Sequence, residues 1–394
     1  MSQKERKRRS RDDDDGGSRM EGCASKRSRT IQSTPSLDRN LDYLIPLFTC
    51  AKASTDLDSA SEDIYKYYKK EIPSAGEYRT KFRIWSQLVT TFTFNSKDPR
   101  TLVMIFGSSL NGLARKGSDL DISIYCPSFN NQLNLLSTLR KWLRVNWAKE
   151  SVRDVQLIPA KVPILKFTNV SHSGERTEVD ISCNDPTGIR NSHLLFSYNK
   201  LDYRVKPLYF VIKAWAANYG INDAKDMTLS SFTLLLMLIH YLQIGVSPPV
   251  LPVIQDIGPS YYRDKLSVVD IFNLPYKTEP DVNFTSSNSM SLRKLLKEFF
   301  IYYTDCFDFT RDVGSIRTGK RLDSRQCQEW ARHSRGIPRQ WEAYVLMEEP
   351  FNRSNSARST VNREKFDSIL VALKEGYRLL VRENASLAKF LSSN

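Results

Sequence analysis

Ile105-Phe-Gly-Ser-Ser-Leu-Asn-Gly-Leu-Ala-Arg-Lys-Gly-Ser-Asp-Leu-Asp-Ile-Ser-Ile-Tyr125 is the stretch on which the fold turns. The apolar run Leu102 to Phe106 reads as a buried strand that breaks at Gly107-Ser108-Ser109. A second strand follows and carries Asp119 and Asp121. Side chains two apart on a strand share one face, so these carboxylates point the same way. Two like charges side by side repel, and a cation usually offsets that cost. A small glycine-opened turn beside a carboxylate pair suits phosphate chemistry, in which the turn holds phosphate oxygens while the carboxylates hold Mg²⁺. The stretch therefore predicts metal-dependent nucleotidyl transfer, although an Asp-x-Asp alone is also what an ordinary turn and surface strand would show.

Working outward, residues 132–145 place leucines at helical spacing, and 152–159, 162–167 and 178–183 read as short strands. Asp180 interrupts the last of these and is a plausible third carboxylate, which two-metal sites commonly use. Upstream, 37–53 is amphipathic, with Leu41, Leu44, Ile45, Leu47 and Phe48 as its stripe, and helices are expected near 61–71 and 76–91. Mixed strands and helices make 37–190 an α/β unit on a small sheet, from which the amphipathic helix 37–53 could reach out to pack on the domain that follows. From Asn191 the pattern changes. Residues 203–219, 229–242, 292–303 and 364–380 are helical, and 245–290 is Pro-, Ser- and Asn-rich loop, so 191–386 reads as a mainly helical second domain with 387–394 as a tail.

The 394 residues carry 58 Lys+Arg against 44 Asp+Glu, a net charge of +14 that favours a polyanionic partner. Residues 1–36 combine basic clusters with Asp12 to Asp15 and several serines, and read as a disordered basic tail, either a nuclear-import signal or a solvated RNA-attracting arm. Six scattered cysteines with no CxxC pair suggest reduced thiols and an intracellular protein. The start has no apolar core for a signal peptide, and the longest apolar run, 232–242, is too short to span a bilayer, so no membrane is expected. His240 in its apolar helix reads as a packed core residue, His172 as a turn residue, and Trp215, Trp330 and Trp341 as core.

Gly107-Ser-Ser with Ser118-Asp-Leu-Asp121, then Val179-Asp-Ile-Ser, resembles the DNA polymerase β nucleotidyltransferase superfamily. Pro163-Ile-Leu-Lys-Phe, Val211-Ile-Lys-Ala-Trp-Ala, Ile221-Asn-Asp-Ala, Thr228-Leu-Ser-Ser-Phe and Glu348-Glu-Pro-Phe narrow the resemblance to template-independent RNA terminal nucleotidyltransferases. Among these it is most similar to cytoplasmic poly(A) polymerases of the germline-development type. The resemblance implies an α+β/α architecture: a small mixed-sheet nucleotidyltransferase domain joined across a cleft to a mainly helical, poly(A)-polymerase-associated domain.

It also implies roles. Asp119, Asp121 and Asp180 would bind Mg²⁺ or Mn²⁺ and be catalytic. Gly107, Ser108 and Ser109 would form the phosphate turn, with Ser109 the hydroxyl contact. Asn191 and Ser192 would hold the ribose and Lys213 the triphosphate. Ser230 and Ser231, at a helix start, would favour phosphate, cap the helix, or both. Phe232 stands where relatives usually stack a tyrosine on the base, and Ala217 where many have a second lysine. The stretch 348–358, with Glu349, would recognise the base; it lacks the extra histidine of uridylyl-adding relatives, which favours ATP as substrate. The expected partners are an RNA 3′ end and an RNA-binding protein that supplies target choice, in the cytoplasm and, if the tail works for import, the nucleus. Terminal uridylyl transfer and a catalytically weak RNA-binding scaffold are the alternatives.

Overall fold

The computed structural model describes residues 41–49, 58–95, 98–147, 151–160, 162–171, 173–274, 282–334 and 336–392. The basic clusters of 1–36, the ends of the amphipathic stretch 37–53, and His172 lie outside them.

Within 37–53 the described part is a 3₁₀ turn, Leu41–Leu44, and one short helix, α1 (Ile45–Thr49). Helix α2 (Ser59–Glu71) is capped by Asp58, whose carboxylate accepts the Ser61 amide at 2.8 Å. Helix α3 (Ala75–Asn95) buries Tyr78, Phe82, Trp85 and Leu88, and its Trp85 indole donates to the Val103 carbonyl at 3.0 Å. That bond lays α3 along β1 (Leu102–Phe106). Next come the single helical turn α4 (Ser108–Asn111), β2 (Leu120–Tyr125), α5 (Gln132–Asn146), β3 (Val152–Ile158), β4 (Ile164–Val170) and β5 (Arg176–Cys183).

The five strands form one mixed sheet in the order β1-β2-β5-β4-β3. β2 and β5 run parallel, and every other pair is antiparallel. Alternation sorts the two faces: Leu120, Ile122 and Ile124 of β2 and Val179, Ile181 and Cys183 of β5 are buried, while Asp121 and Asp180 take the other face.

Helix α6 (Thr187–Leu201) leads from the sheet into α7 (Val205–Asn218) and α8 (Ser231–His240). The sequence pattern does not announce α6, and the expected domain boundary at 190/191 falls inside it. The reason is visible in its burial: Ile189 and every residue from Asn191 to Asn199 are buried, so the helix has no polar stripe to reveal its period. Short helices α9 (Ile254–Ile257) and α10 (Val268–Phe272) punctuate the loop-rich region. Helix α11 (Leu292–Ile301) precedes a two-stranded hairpin, β6 (Asp312–Ser315) with β7 (Lys320–Asp323), then α12 (Ser324–His333) and α13 (Arg363–Tyr377). The hairpin strands have four residues each, too few for alternation to stand out from the sequence.

Two expectations about segment ends are corrected. It is α2, not only the amphipathic stretch, that leaves the sheet half: it packs on α7 and α11, and its Ser61 hydroxyl accepts the Arg293 amide at 3.1 Å. α1 bridges both halves, with Phe48 stacked on Tyr78 at 5.1 Å and the Lys206 ammonium donating to the Leu47 carbonyl at 2.8 Å. The supposed tail contains α14 (Leu387–Leu391), docked on α7 with Phe390 fully buried 5.4 Å from the Phe300 ring and stacked on Trp215. Phe390→Ala should cost about 3 kcal/mol of stability in urea unfolding, the scale for a buried aromatic; a change under about 1 kcal/mol would show that α14 contributes little packing.

His240 is packed as expected, its ring 3.2 Å from the Tyr302 hydroxyl and its pKa pushed down to about 4 by burial. Trp215 and Trp341 are core, but Trp330 is only half-buried and faces the cleft between the two halves. No helix among the described residues is long and apolar enough to cross a membrane.

Candidate active site

Strand pairing builds the acidic centre. The parallel register sets Asp121 directly against Asp180, and Asp119 sits in the loop one residue before β2 rather than on the strand. Carboxylate oxygens of all three lie within 4.8 Å of one another. Burial, then the charges of Asp119 and Asp180, push the Asp121 pKa up to about 8 despite the cations Lys81 and Lys166. Asp180 is raised too, mainly by burial, against the Lys166 ammonium at 3.6 Å. Its Oδ1 has no hydrogen-bond partner. Three crowded carboxylates with an unsatisfied oxygen fit a divalent ion that prefers hard oxygen donors, such as Mg²⁺ or Mn²⁺.

The turn ahead of β2 is set by Gly107. Its φ is +69°, and a Cβ there would come within 2.1 Å of an Asp121 carboxylate oxygen. Only glycine lets the main chain pass this close. Ser108 lines the cleft, whereas Ser109 is fully buried. The Ser109 hydroxyl accepts from Lys81 at 3.1 Å and donates to the Asp119 carbonyl at 3.2 Å. The expectation that Ser109 offers its hydroxyl to a phosphate is thus corrected: that hydroxyl is used within the turn, and Ser108 is the serine of the turn that lines the cleft. Ser192 is corrected as well. Its hydroxyl donates to the Gly188 carbonyl and accepts the Gly107 amide, both at 2.7 Å, so it anchors the turn to α6 rather than offering itself to a ribose.

With Asp119 and Asp121, Asn191, Lys213, Ser230, Ser231, Phe232 and Glu349 line the same cleft, a cavity of about 1470 Å³. Asn191 keeps an unpartnered Oδ1. Burial and the nearby Arg115 lower the Lys213 pKa, while Asp119 and Asp121 raise it. Ser230 caps α8, accepting the Thr233 amide at 3.0 Å, and Ser231 donates to Asn222 Oδ1 at 3.2 Å. Of the two readings for this pair, capping is visible for Ser230, and both residues also face the cleft. Ala217 is exposed and outside the lining, but Lys225 lines it.

The loop at 348–358 hangs on two side chains. Glu349 Oε2 accepts the Phe351 and Asn352 amides at 2.9 and 2.5 Å, while Oε1 stays unpaired; burial raises its pKa against those bonds and the neighbouring Asn191. Asn355, fully buried, accepts the Met347 and Ala357 amides and donates to the Gln340 and Val345 carbonyls. It is therefore structural. Arg353, with φ +55°, rests on the Trp330 ring at 5.2 Å, and Arg190 lies over Phe351 at 4.1 Å.

Lys81, Lys225 and Arg358, which the sequence pattern does not single out, also surround this site, as does Trp330, which it reads as core. Lys81 alone carries a signal there: it falls three residues after Tyr78 and four before Trp85, on the apolar stripe of its helix.

Comparison with known proteins agrees with this geometry. Residues 60–200 match the family described as "Poly(A) RNA polymerase, mitochondrial-like, central palm domain", and residues 291–355 match "Cid1 family poly A polymerase". The chain is 30% identical to the solved structure of a GLD-2/RNP-8 complex, with a TM-score of 0.69, covering 85% of this chain and 98% of that one. It is 34% identical over 326 residues to poly(A) RNA polymerase gld-2 homolog A of Drosophila melanogaster, covering 82% of this chain and 23% of the relative. Poly(A) RNA polymerase GLD2 of Danio rerio is 37% identical over 287 residues, covering 72% and 55%. Structures of the Cid1 poly(U) polymerase, at 24% identity and TM-score 0.68, share the fold. The chain belongs to the template-independent RNA terminal nucleotidyltransferases, in the Cid1 and GLD-2 family of poly(A) polymerases. It spans from about a quarter to about half the length of these two curated relatives.

Proposed function

We propose that this chain adds AMP units from ATP to RNA 3′ ends without a template, releasing pyrophosphate. The observation that carries the reading is the convergence of Asp119, Asp121 and Asp180, the first two of which line a cleft that Lys213 and Glu349 also line. Mg²⁺ or Mn²⁺, when bound, would neutralise charge on the triphosphate and acidify the attacking hydroxyl. The three aspartates would hold that ion. Ser108, Lys213 and the amino end of α8 would bind the triphosphate, and Asn191 the ribose. Phe232 would stack on the base, keeping an aromatic face without a hydroxyl.

The base assignment rests on Glu349. Its unpaired Oε1 is an acceptor suited to the exocyclic amine of adenine, whereas uracil offers a carbonyl oxygen in its place. The net charge of +14 suits RNA but carries no sequence information. Target choice would come from an RNA-binding protein; the GLD-2 structure similar to this chain is itself a complex with RNP-8. We place the activity in the cytoplasm, with the basic clusters of 1–36 as a candidate nuclear-import signal.

The test is primer extension by the purified chain on oligo(A) with Mg²⁺ and each nucleoside triphosphate in turn. ATP-dependent extension that Asp121→Ala abolishes supports the proposal. Extension chiefly with UTP overturns the base assignment, and no extension with any nucleotide, even with Mn²⁺ and an RNA-binding partner, favours a scaffold.

A further inference from the structure

Two members of the acidic triad are placed by strand pairing, but Asp119 is not. It precedes β2 and belongs to no ladder, so something else must fix its main chain. The contacts that do so come from one side of α3. Glu77, near the start of that helix, accepts the Gly117 amide at 3.1 Å and the Ser74 amide at 2.8 Å. One turn further on, Lys81 is only 4% exposed, on the face that also buries Tyr78, Phe82 and Trp85. Burying an ammonium is costly unless its protons are used. Here they are directed at the Ser118 hydroxyl at 2.8 Å, the Ser109 hydroxyl at 3.1 Å and the Asp119 carbonyl at 3.2 Å. Ser109 in turn donates to that same carbonyl. Lys81 makes no ion pair with a carboxylate among the described residues, so its contacts go to the loop and the turn themselves.

We infer that Lys81 is a positioning residue that ties the Asp119 loop to the phosphate turn through one buried ammonium and so sets the triad's geometry. This rests on the nucleotidyl-transfer reading, and it makes the ammonium a hinge pin between the metal-holding and phosphate-holding parts of the site. An ordinary core lysine would behave differently. Methionine, an apolar chain of similar length, would replace it without loss, and removing a nearby positive charge would strengthen metal binding.

The test uses the full chain. Lys81→Met should retain its melting temperature within a few degrees, keep KM for ATP within about twofold, and lose kcat by roughly tenfold or more, the pattern of a lost transition-state contribution. Mn²⁺ binding to the nucleotide-free protein, read by electron paramagnetic resonance, should weaken several-fold. Ser118→Ala, which removes only the shortest of the three contacts, should show a smaller defect of the same kind and add nothing in the Lys81→Met background. If Lys81→Met does not fold, the Ser118→Ala result decides. A fall in kcat of less than fivefold in Lys81→Met, Mn²⁺ binding as tight as wild type or tighter, or full additivity of the two changes overturns the inference. Failure of the wild-type chain to use ATP would instead overturn the proposed function.

Discussion

Asp121→Asn is expected to abolish nucleotide addition while leaving the metal-free fold more stable at neutral pH. The loss of activity should reach about 10³-fold or more, at or above the upper end of what removing one preorganised electrostatic group costs. The gain in stability follows from crowding. Asp121 in the folded state holds its proton up to about pH 8, against an ordinary carboxylate value of 3.8. Below pH 3.8 the group is protonated whether the chain is folded or not. Between 3.8 and about 8 the folded chain keeps a proton that the unfolded chain has lost, so stability falls as pH rises through that window. Above it both states are ionised and the loss is complete. For one proton the slope is at most about 1.4 kcal/mol per pH unit. Melting temperatures in a chelator should therefore decline across this window for the wild type. They should decline much less with saturating Mg²⁺, which supplies the missing counter-charge, and less in Asp121→Asn. A decline of equal size in the variant would mean that some other group is responsible.

Asn355→Ala should be the most damaging change in the recognition loop, although Asn355 is structural. Its removal leaves the Met347 and Ala357 amides and the Gln340 and Val345 carbonyls without partners in a fully buried site. At about 1–3 kcal/mol for each unsatisfied group, partly relieved by water or relaxation, a total near 3 kcal/mol is expected. Because the same bonds set the path of the chain on to Glu349 and Asn352, KM for ATP should rise about tenfold, worth ~1.4 kcal/mol of binding. Urea unfolding and initial-rate kinetics measure the two effects. Lost stability with unchanged KM would show that the loop's position does not depend on this residue.

The local chemistry of the centre is legible in the sequence because it is written at short range. A five-residue apolar run, a glycine and a period-2 pattern put Asp121 on the open face of a strand, and the same alternation marks Asp180. What escapes is anything that depends on how an element is rotated or what lies across from it. Ser108 and Ser109 are chemically alike, and only the turn of α4 sends one to the cleft and the other to Lys81. Ser192 reads as a ligand contact until α6 is packed and its hydroxyl meets the Gly107 amide. α6 itself is hidden because it is buried on all sides.

The sequence by itself thus pointed to the glycine turn and to the carboxylates Asp119 and Asp121 through residue type and spacing, and its resemblance to the nucleotidyltransferases drew in Asp180 and the reaction class. Tertiary structure alone decided which hydroxyl faces the cleft, which residue holds the loop before β2, and which Glu349 oxygen is left free. Those depend on contacts such as Lys81 to Ser118, 37 residues apart, and Gly107 to Ser192, 85 apart. Hydrogen bonds over such separations are specified by packing geometry, which no local pattern along the chain encodes.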